Sequence, residues 1–161
     1  MKIQSPARSP KRSFALAALV AISASLTLTG CTANVSLEAA DDSNNPLCAA
    51  ITVRLPQQLA GQDRRTTDAQ ATGAWGDPSS IILRCGLPEV DASLLKCVTV
   101  ENVDWLVDPS NSPNYRFITF GRNPATEVIV DSKKVAGVDV LSNLALAIQN
   151  IPAKRTCTAV K

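Results

Sequence analysis

The chain has 161 residues, 45% of them apolar but only 4% aromatic, and a formal charge of +2. That is one domain's length, and its core must be built mainly from Val, Ile, Leu and Ala. The sequence contains no histidine, which excludes Ser-His-Asp and Cys-His catalysis and imidazole-ligated zinc.

The positive charge belongs to the beginning of the chain. Lys2, Arg8, Lys11 and Arg12 precede Cys31 with no acid among them. The rest carries 12 basic against 14 acidic residues, so it exerts no general pull on nucleic acid. Residues 14–29, FALAALVAISASLTLT, are small and apolar. A bilayer span needs roughly 20 apolar residues, and this run is shorter. A basic start followed by a short apolar run reads as an export signal over residues 1–30. Such a signal ordinarily ends in an A-x-A-like site, whereas this one ends in Leu28-Thr29-Gly30-Cys31, which resembles a bacterial lipobox. A thiol is required to form the thioether to diacylglycerol, and small residues before it fit the lipoprotein signal peptidase. Cys31 is therefore the expected lipidation site, holding the mature protein on the outer face of the cytoplasmic membrane. A plain signal peptide or an uncleaved anchor, with Cys31 incidental, is the alternative.

Residues 31–46 read as a lipidated tether, with Val35 and Leu37 alternating with Asn34 and Ser36 in the pattern of a short edge strand. Asn44 and Asn45 before Pro46 mark a helix start. Leu47, Ile51, Leu55 and Leu59 then recur on one helical face, with Pro56 and Gly61 as stops. Residues 61–78 read as a long loop. Ser80 to Cys85 is a buried strand closed by Gly86. Residues 97–107 form two strands around a tight Glu101-Asn102 turn. Two further strands are predicted from Tyr115 to Phe120 and from Thr126 to Asp131. Val138, Leu141, Leu144 or Ala145, and Ile148 mark a final helix with Asp139 as cap and Pro152 as stop. Residues 47–161 are thus expected as a single α+β domain, an antiparallel sheet of about four to six strands with two helices packed on one face.

Four cysteines follow Cys31: Cys48, Cys85, Cys97 and Cys157. An even number in an exported chain predicts two disulfides, and no CxxC spacing suggests a metal or redox role. Three pairings are open. Cys48–Cys85 with Cys97–Cys157 is preferred, because it ties the first helix to a central strand and the C-terminal tail to the sheet. Cys85–Cys97 with Cys48–Cys157 is nearly as good.

Several strings together resemble a known family: Cys48 with Leu55-Pro56, Arg64-Arg65, Ala74-Trp75-Gly76-Asp77-Pro78, Leu83-Arg84-Cys85-Gly86, Val103-Asp104-Trp105 and Gly121-Arg122. This is the family of domain of unknown function 3515. The resemblance implies an actinobacterial, exported and often lipid-anchored envelope protein. It implies no activity, cofactor or catalytic residue. Where that family tends to carry an Asn-Gly turn before Val-Asp-Trp, this chain has Glu101-Asn102.

Three function classes follow. The first is an accessory or interaction module of the cell envelope, with an envelope protein as partner, the membrane held through Cys31, and no nucleic acid or cofactor. The second is a binder of an anionic envelope glycan or lipid, using a patch of Arg64, Arg65, Trp75, Asp77, Arg84, Trp105 and Arg122. Guanidinium forks and indole faces suit such ligands. The competing reading has those arginines paired with acids such as Asp77 and Asp104, and the tryptophans filling the core. The third and least favoured is a histidine-independent hydrolase, with Asp104 and either Asp108 or Glu127 as paired carboxylates.

Overall fold

Asn45 opens the first element of the fold in the computed structural model, which describes residues 34–157. Its side chain accepts a hydrogen bond from the Leu47 amide, and Pro46 occupies the first turn, so α1 runs Pro46–Thr52. This helix is shorter than the leucine spacing predicts. Leu55 and Leu59 are buried, but from a turn and from the next strand; their four-residue spacing is not helical periodicity.

The strands follow as β1 (Gln58–Leu59), β2 (Gln62–Arg65), β3 (Thr72–Trp75), β4 (Ile81–Leu87), β5 (Lys96–Val100), β6 (Val103–Asp108), β7 (Asn114–Thr119) and β8 (Ala125–Asp131), and α2 closes the order at Gly137–Ile148. They form one antiparallel sheet in the order β1-β2-β3-β4-β8-β7-β6-β5. The fold class is α+β as expected, but the sheet has eight strands rather than four to six. Of the additional strands, β2 and β3 lie in the stretch expected to be loop, and β1 lies where the helix was expected to continue. Gln62-Asp63-Arg64-Arg65 carries no apolar alternation, and Thr72-Gly73-Ala74-Trp75 is dominated by small residues. They are strands because they pair: Trp75 lies opposite Arg64 on one side and Ile81 on the other.

The topology is two meanders joined at their last strands. β1 to β4 run inward from one edge. The chain then crosses to the far edge at β5 and runs back, so that β8 pairs with β4 at the centre. Turn chemistry sets two of the hairpins. Ala60 and Gly61 both have positive φ between β1 and β2, as do Glu101 and Asn102 between β5 and β6. Two consecutive left-handed residues give the turn whose twist matches the flanking strands. The strand expected to end at Gly86 continues through it to Leu87, with a register shift between Cys85 and Leu87. Gly86 has φ +109, and a Cβ there would lie 2.6 Å from the Asp42 carbonyl carbon. Only glycine lets the 42–43 backbone pass so close; the Asp42 amide donates to the Gly86 carbonyl.

Side-chain alternation divides the sheet. On one face Ile81, Leu83, Val103, Trp105, Phe117, Val128 and Val130 form a single cluster with Ile51 of α1 and with Val140, Leu141, Leu144 and Ile148 of α2. Both helices therefore pack on one face. Val138, expected in the α2 stripe, is exposed. Asp139 is not the cap: Ala136 precedes the helix without a side-chain hydrogen bond, and Asp139 sits in the first turn, where its charge favours the helix dipole. On the opposite face a smaller cluster of Leu106, Ile118 and Ala125 is covered by Leu87 at the end of β4, by Val90 and Leu95 of the crossing segment between β4 and β5, and by Phe120.

Both preferred disulfides are formed. Cys48–Cys85 has Cα atoms 5.6 Å apart and Cys97–Cys157 has them 5.9 Å apart, within ordinary disulfide geometry. The first ties α1 to β4, and the second ties the end of the described chain to β5. The start of the described chain is also docked. Val35 bridges Thr67 in parallel, and the Leu37 amide donates to Asp68 Oδ1 at 2.9 Å. The stretch expected to be an export signal, and Cys31, lie outside the described residues.

Candidate functional site

The seven residues of the expected patch do not share one surface. Trp75 and Trp105 are fully buried on the helix face of the sheet. The Trp75 indole donates to the Pro56 carbonyl at 3.0 Å, which holds the α1–β1 connection against β3. Trp105 Nε1 has no hydrogen-bond partner among the described residues. Arg64, cross-strand from Trp75, donates to the Leu55 carbonyl at 3.2 Å, and burial lowers its pKa. Arg65 points to the opposite face and pairs with the exposed carboxylate of Asp77 at 2.8 Å.

Arg122 lies in the β7–β8 connection and is almost wholly buried. Its guanidinium donates to the Ile151 and Asn102 carbonyls, while its Nε has no partner among the described residues. Burial lowers its pKa, and the charge of Asp104 opposes that shift. Arg122 thus fastens the end of α2, the β5–β6 turn and the β7–β8 connection to one another. Arg84, on β4, shares the open face with Arg65 and lies apart from the buried Trp75, Trp105 and Arg122.

Arg84 belongs to a cluster whose other cation was not among the expected residues. Its Nε donates to Glu127 Oε1 at 2.6 Å, and Arg116 Nε donates to Glu127 Oε2. The Glu127 side chain is 4% exposed, while Arg84 and Arg116 are 31% and 36% exposed. Register explains the arrangement. Arg84 lies opposite Glu127 across β4 and β8, and Arg116 is its diagonal neighbour on β7. The polar alternation of residues 114–119 hints at an outward Arg116, but only the pairing register brings it to Glu127. A shallow depression of about 290 Å³ beside this cluster is lined by Leu37, Thr72, Ile82, Arg84, Glu127 and Ile129. Glu127 and the nearby Asp108 and Glu38 balance the two arginines, so the groove has no excess of positive charge.

The three acids considered as a carboxylate pair are also separated and locally engaged. Asp104 accepts from Thr99 Oγ1 at 2.5 Å and from the Cys157 amide at 2.7 Å. Asp108 accepts from the Ser110 amide at 3.0 Å, and its hydrogen bonds to Ser110 lower its pKa. Glu127 stands two strands away from both, about 10 Å by sheet spacing. Among the described residues, no group of three or more His, Cys, Asp or Glu is placed to hold a metal ion. No helix among them is long and apolar enough to cross a membrane.

A second feature unread in the sequence is the strap from Ile151 to Cys157. Ala153 bridges Arg122, the Lys154 amide donates to the Gly121 carbonyl at 2.7 Å, and Arg155 pairs with Glu89 and Asp91 of the crossing segment. Those acids raise the Arg155 pKa, chiefly through the Asp91 hydrogen bond. Gly121 permits the approach. It has φ +67, and a Cβ there would overlap the Arg155 backbone.

A family described as protein of unknown function, DUF3515, matches residues 13–156. The chain belongs to this family. No curated protein and no solved structure matches it.

Proposed function

We propose that the chain is an exported lipoprotein, anchored through Cys31, whose disulfide-stapled domain is an accessory or interaction module of the cell envelope. The observation that carries this reading is the pair of disulfides. Such bonds persist in oxidising compartments and are rare in the cytosol, so they agree with the export signal and lipobox-like sequence before them. The interaction role is favoured over chemistry because the arginines, tryptophans and acids considered for a site make contacts within the fold. Such a domain needs no cofactor. The anchor would concentrate it at the membrane surface, where a weak protein contact becomes effective.

The test has two arms. An alkyne fatty acid fed to cells should label the wild-type protein in the membrane fraction, and Cys31→Ala should be unlabelled and released from the membrane. An unlabelled, cytosolic wild type would overturn the anchoring. Crosslinking in intact cells, followed by affinity purification, should recover a stoichiometric envelope protein that is lost in Cys31→Ala. Recovery of the chain alone would overturn the interaction role.

A second reading, an anionic glycan or lipid headgroup, rests on Arg84 and its depression on the open face. The neighbouring acids weigh against it. Titration of anionic envelope glycans and of vesicles containing anionic lipid would decide it.

A further inference from the structure

The two disulfides differ in a way that their loop lengths do not explain. Cys48 and Cys85 have no exposed surface and lie within the main core. Cys97 and Cys157 are both half-buried, and both line an open depression of about 840 Å³ beside Leu95, Leu106 and Phe120. A dissolved thiol can reach the second bond in the folded state but not the first. Access is a principal determinant of thiol–disulfide exchange rate.

What the accessible bond holds is also distinct. Residues 152–156 are exposed throughout. Ile151, at the root of the strap, is buried in the main core and its carbonyl accepts from Arg122. Beyond it, apart from the disulfide, residues 152–157 are held by the Arg122–Ala153 bridge, the Lys154–Gly121 hydrogen bond, the Cys157–Asp104 hydrogen bond and ion pairs of the exposed Lys154 and Arg155 with the largely buried Glu89 and the exposed Asp91. Exposed ion pairs hold weakly. Arg155 is the tie between this strap and the crossing segment, whose Val90 and Leu95 cover the smaller cluster around Leu106 and Ile118. The main core, with α1, β4 and Ile151, has its own buried bond and takes no side chain from residues 152–157.

We infer that Cys97–Cys157 is a reducible latch: a dithiol opens it in the folded protein, freeing the strap and loosening the crossing segment over the smaller cluster, while Cys48–Cys85 stays closed. In the reaction a thiolate of the dithiol attacks Cys157 Sγ. The Cys97 thiolate leaves and takes up a proton, and a mixed disulfide remains on Cys157. The second thiol of the reductant, as its thiolate, attacks that bond and releases the Cys157 thiolate, which is protonated in turn. The protein gains two electrons and two protons, and the dithiol becomes its own disulfide. The strap residues then separate from β5 carrying Cys157, and the apolar side of Leu106 and Phe120 gains access to solvent.

The experiment treats the full-length chain with dithiothreitol without denaturant, quenches samples with an alkylating reagent and maps the labelled cysteines by mass spectrometry. Cys97 and Cys157 should be labelled at least ten times faster than Cys48 and Cys85. Hydrogen exchange of the singly reduced protein should rise in residues 88–97 and 152–157, with α1 and β4 protected as before. The variant with Cys97→Ser and Cys157→Ser should reproduce that exchange pattern with no reductant present. Equal labelling of the two bonds, or reduction only on global unfolding, would overturn the inference. So would selective reduction that leaves the exchange of residues 88–97 unchanged, because the bond would then be exposed without being a latch.

Discussion

Arg84 on β4 and Glu127 on β8 face each other across the two central strands, and guanidinium and carboxylate meet at 2.6 Å. Arg116 reaches the other carboxylate oxygen from β7. Three strands are thus joined on the open face through one buried acid. Isolating a charge from water is costly, and here two hydrogen-bonded cations offset that cost. Removing the acid alone should therefore hurt more than losing a surface ion pair. Glu127→Gln is expected to lower unfolding stability by about 1–3 kcal/mol, below the full cost for a buried pair because both arginines retain access to water. Urea denaturation measures it. A change no larger than that of Asp91→Asn, an exposed acid paired with Arg155, would mean that the cluster contributes nothing beyond a surface pair.

Cys48–Cys85 should matter more to global stability than Cys97–Cys157, although it closes the shorter loop, with a sequence separation of 37 against 60. Chain-entropy reasoning alone assigns each about 4 kcal/mol and slightly favours the longer loop. Location reverses the order. The buried bond joins α1 to the sheet centre inside the main core, so losing it affects the whole cooperative unit. The other holds a strap that can detach locally, and local opening leaves most global stability in place. Replacing Cys48 and Cys85 with alanine should cost about 3–5 kcal/mol, and the same change at Cys97 and Cys157 clearly less. Denaturation of both variants measures the difference, and the opposite ranking would show the strap to be part of the global folding unit.

The fold was most legible where local chemistry and tertiary structure agree. Asn45-Pro46 starts a helix by capping, Glu101-Asn102 turns a hairpin, and Leu141, Leu144 and Ile148 mark the buried side of α2. The sheet was undercounted because β2 and β3 have no pattern of their own; Gln62-Asp63-Arg64-Arg65 is extended because β3 and β1 pair with it. Leu55 and Leu59 misled for the same reason, since burial from a turn and a strand imitated helical spacing. The sequence favoured the observed disulfide pairing without deciding it, because Cys85–Cys97 with Cys48–Cys157 joins the same elements nearly as well. The candidate patch was not: residue type marks Arg84 as a cation and Trp75 as an aromatic, but the face each occupies follows from register. Arg116 and Arg155 became visible only when distant strands and the C-terminal strap were brought together.

The β5–β6 turn places two side-chain-bearing residues in the left-handed region, Glu101 at φ +46 and Asn102 at φ +60. Asn tolerates that conformation; Glu has no local hydrogen bond to offset the crowding of its Cβ. The turn's contacts to the rest of the fold use the backbone alone: the Glu101 carbonyl accepts from Gln149, and the Asn102 carbonyl accepts from Arg122. Changing the side chains leaves these bonds intact. Glu101→Asn with Asn102→Gly should therefore raise stability by about 0.5–1 kcal/mol, seen as a higher melting temperature with an unchanged denaturant slope. A loss of stability would show that the Glu101 side chain makes a contribution larger than its backbone strain.

The first described residues should respond to acid. Asp68 accepts from the Leu37 amide, and its pKa is lowered mainly by that bond and further by Ser36. A carboxylate whose folded pKa is depressed contributes stability that is present above its unfolded value, about 3.9, and is lost as pH falls through the folded value. Docking of residues 34–37 onto residues 66–68 should thus be intact near neutrality and weaken below about pH 4. Amide exchange of Leu37, corrected for the intrinsic effect of pH, should accelerate over that range, while amides of β4 and β8 do not. Asp68→Asn keeps an oxygen acceptor but no titrating charge, so its Leu37 exchange should lose this acid dependence. If the variant keeps the same acid dependence, the response originates in another carboxylate, with Glu38 the nearest to examine.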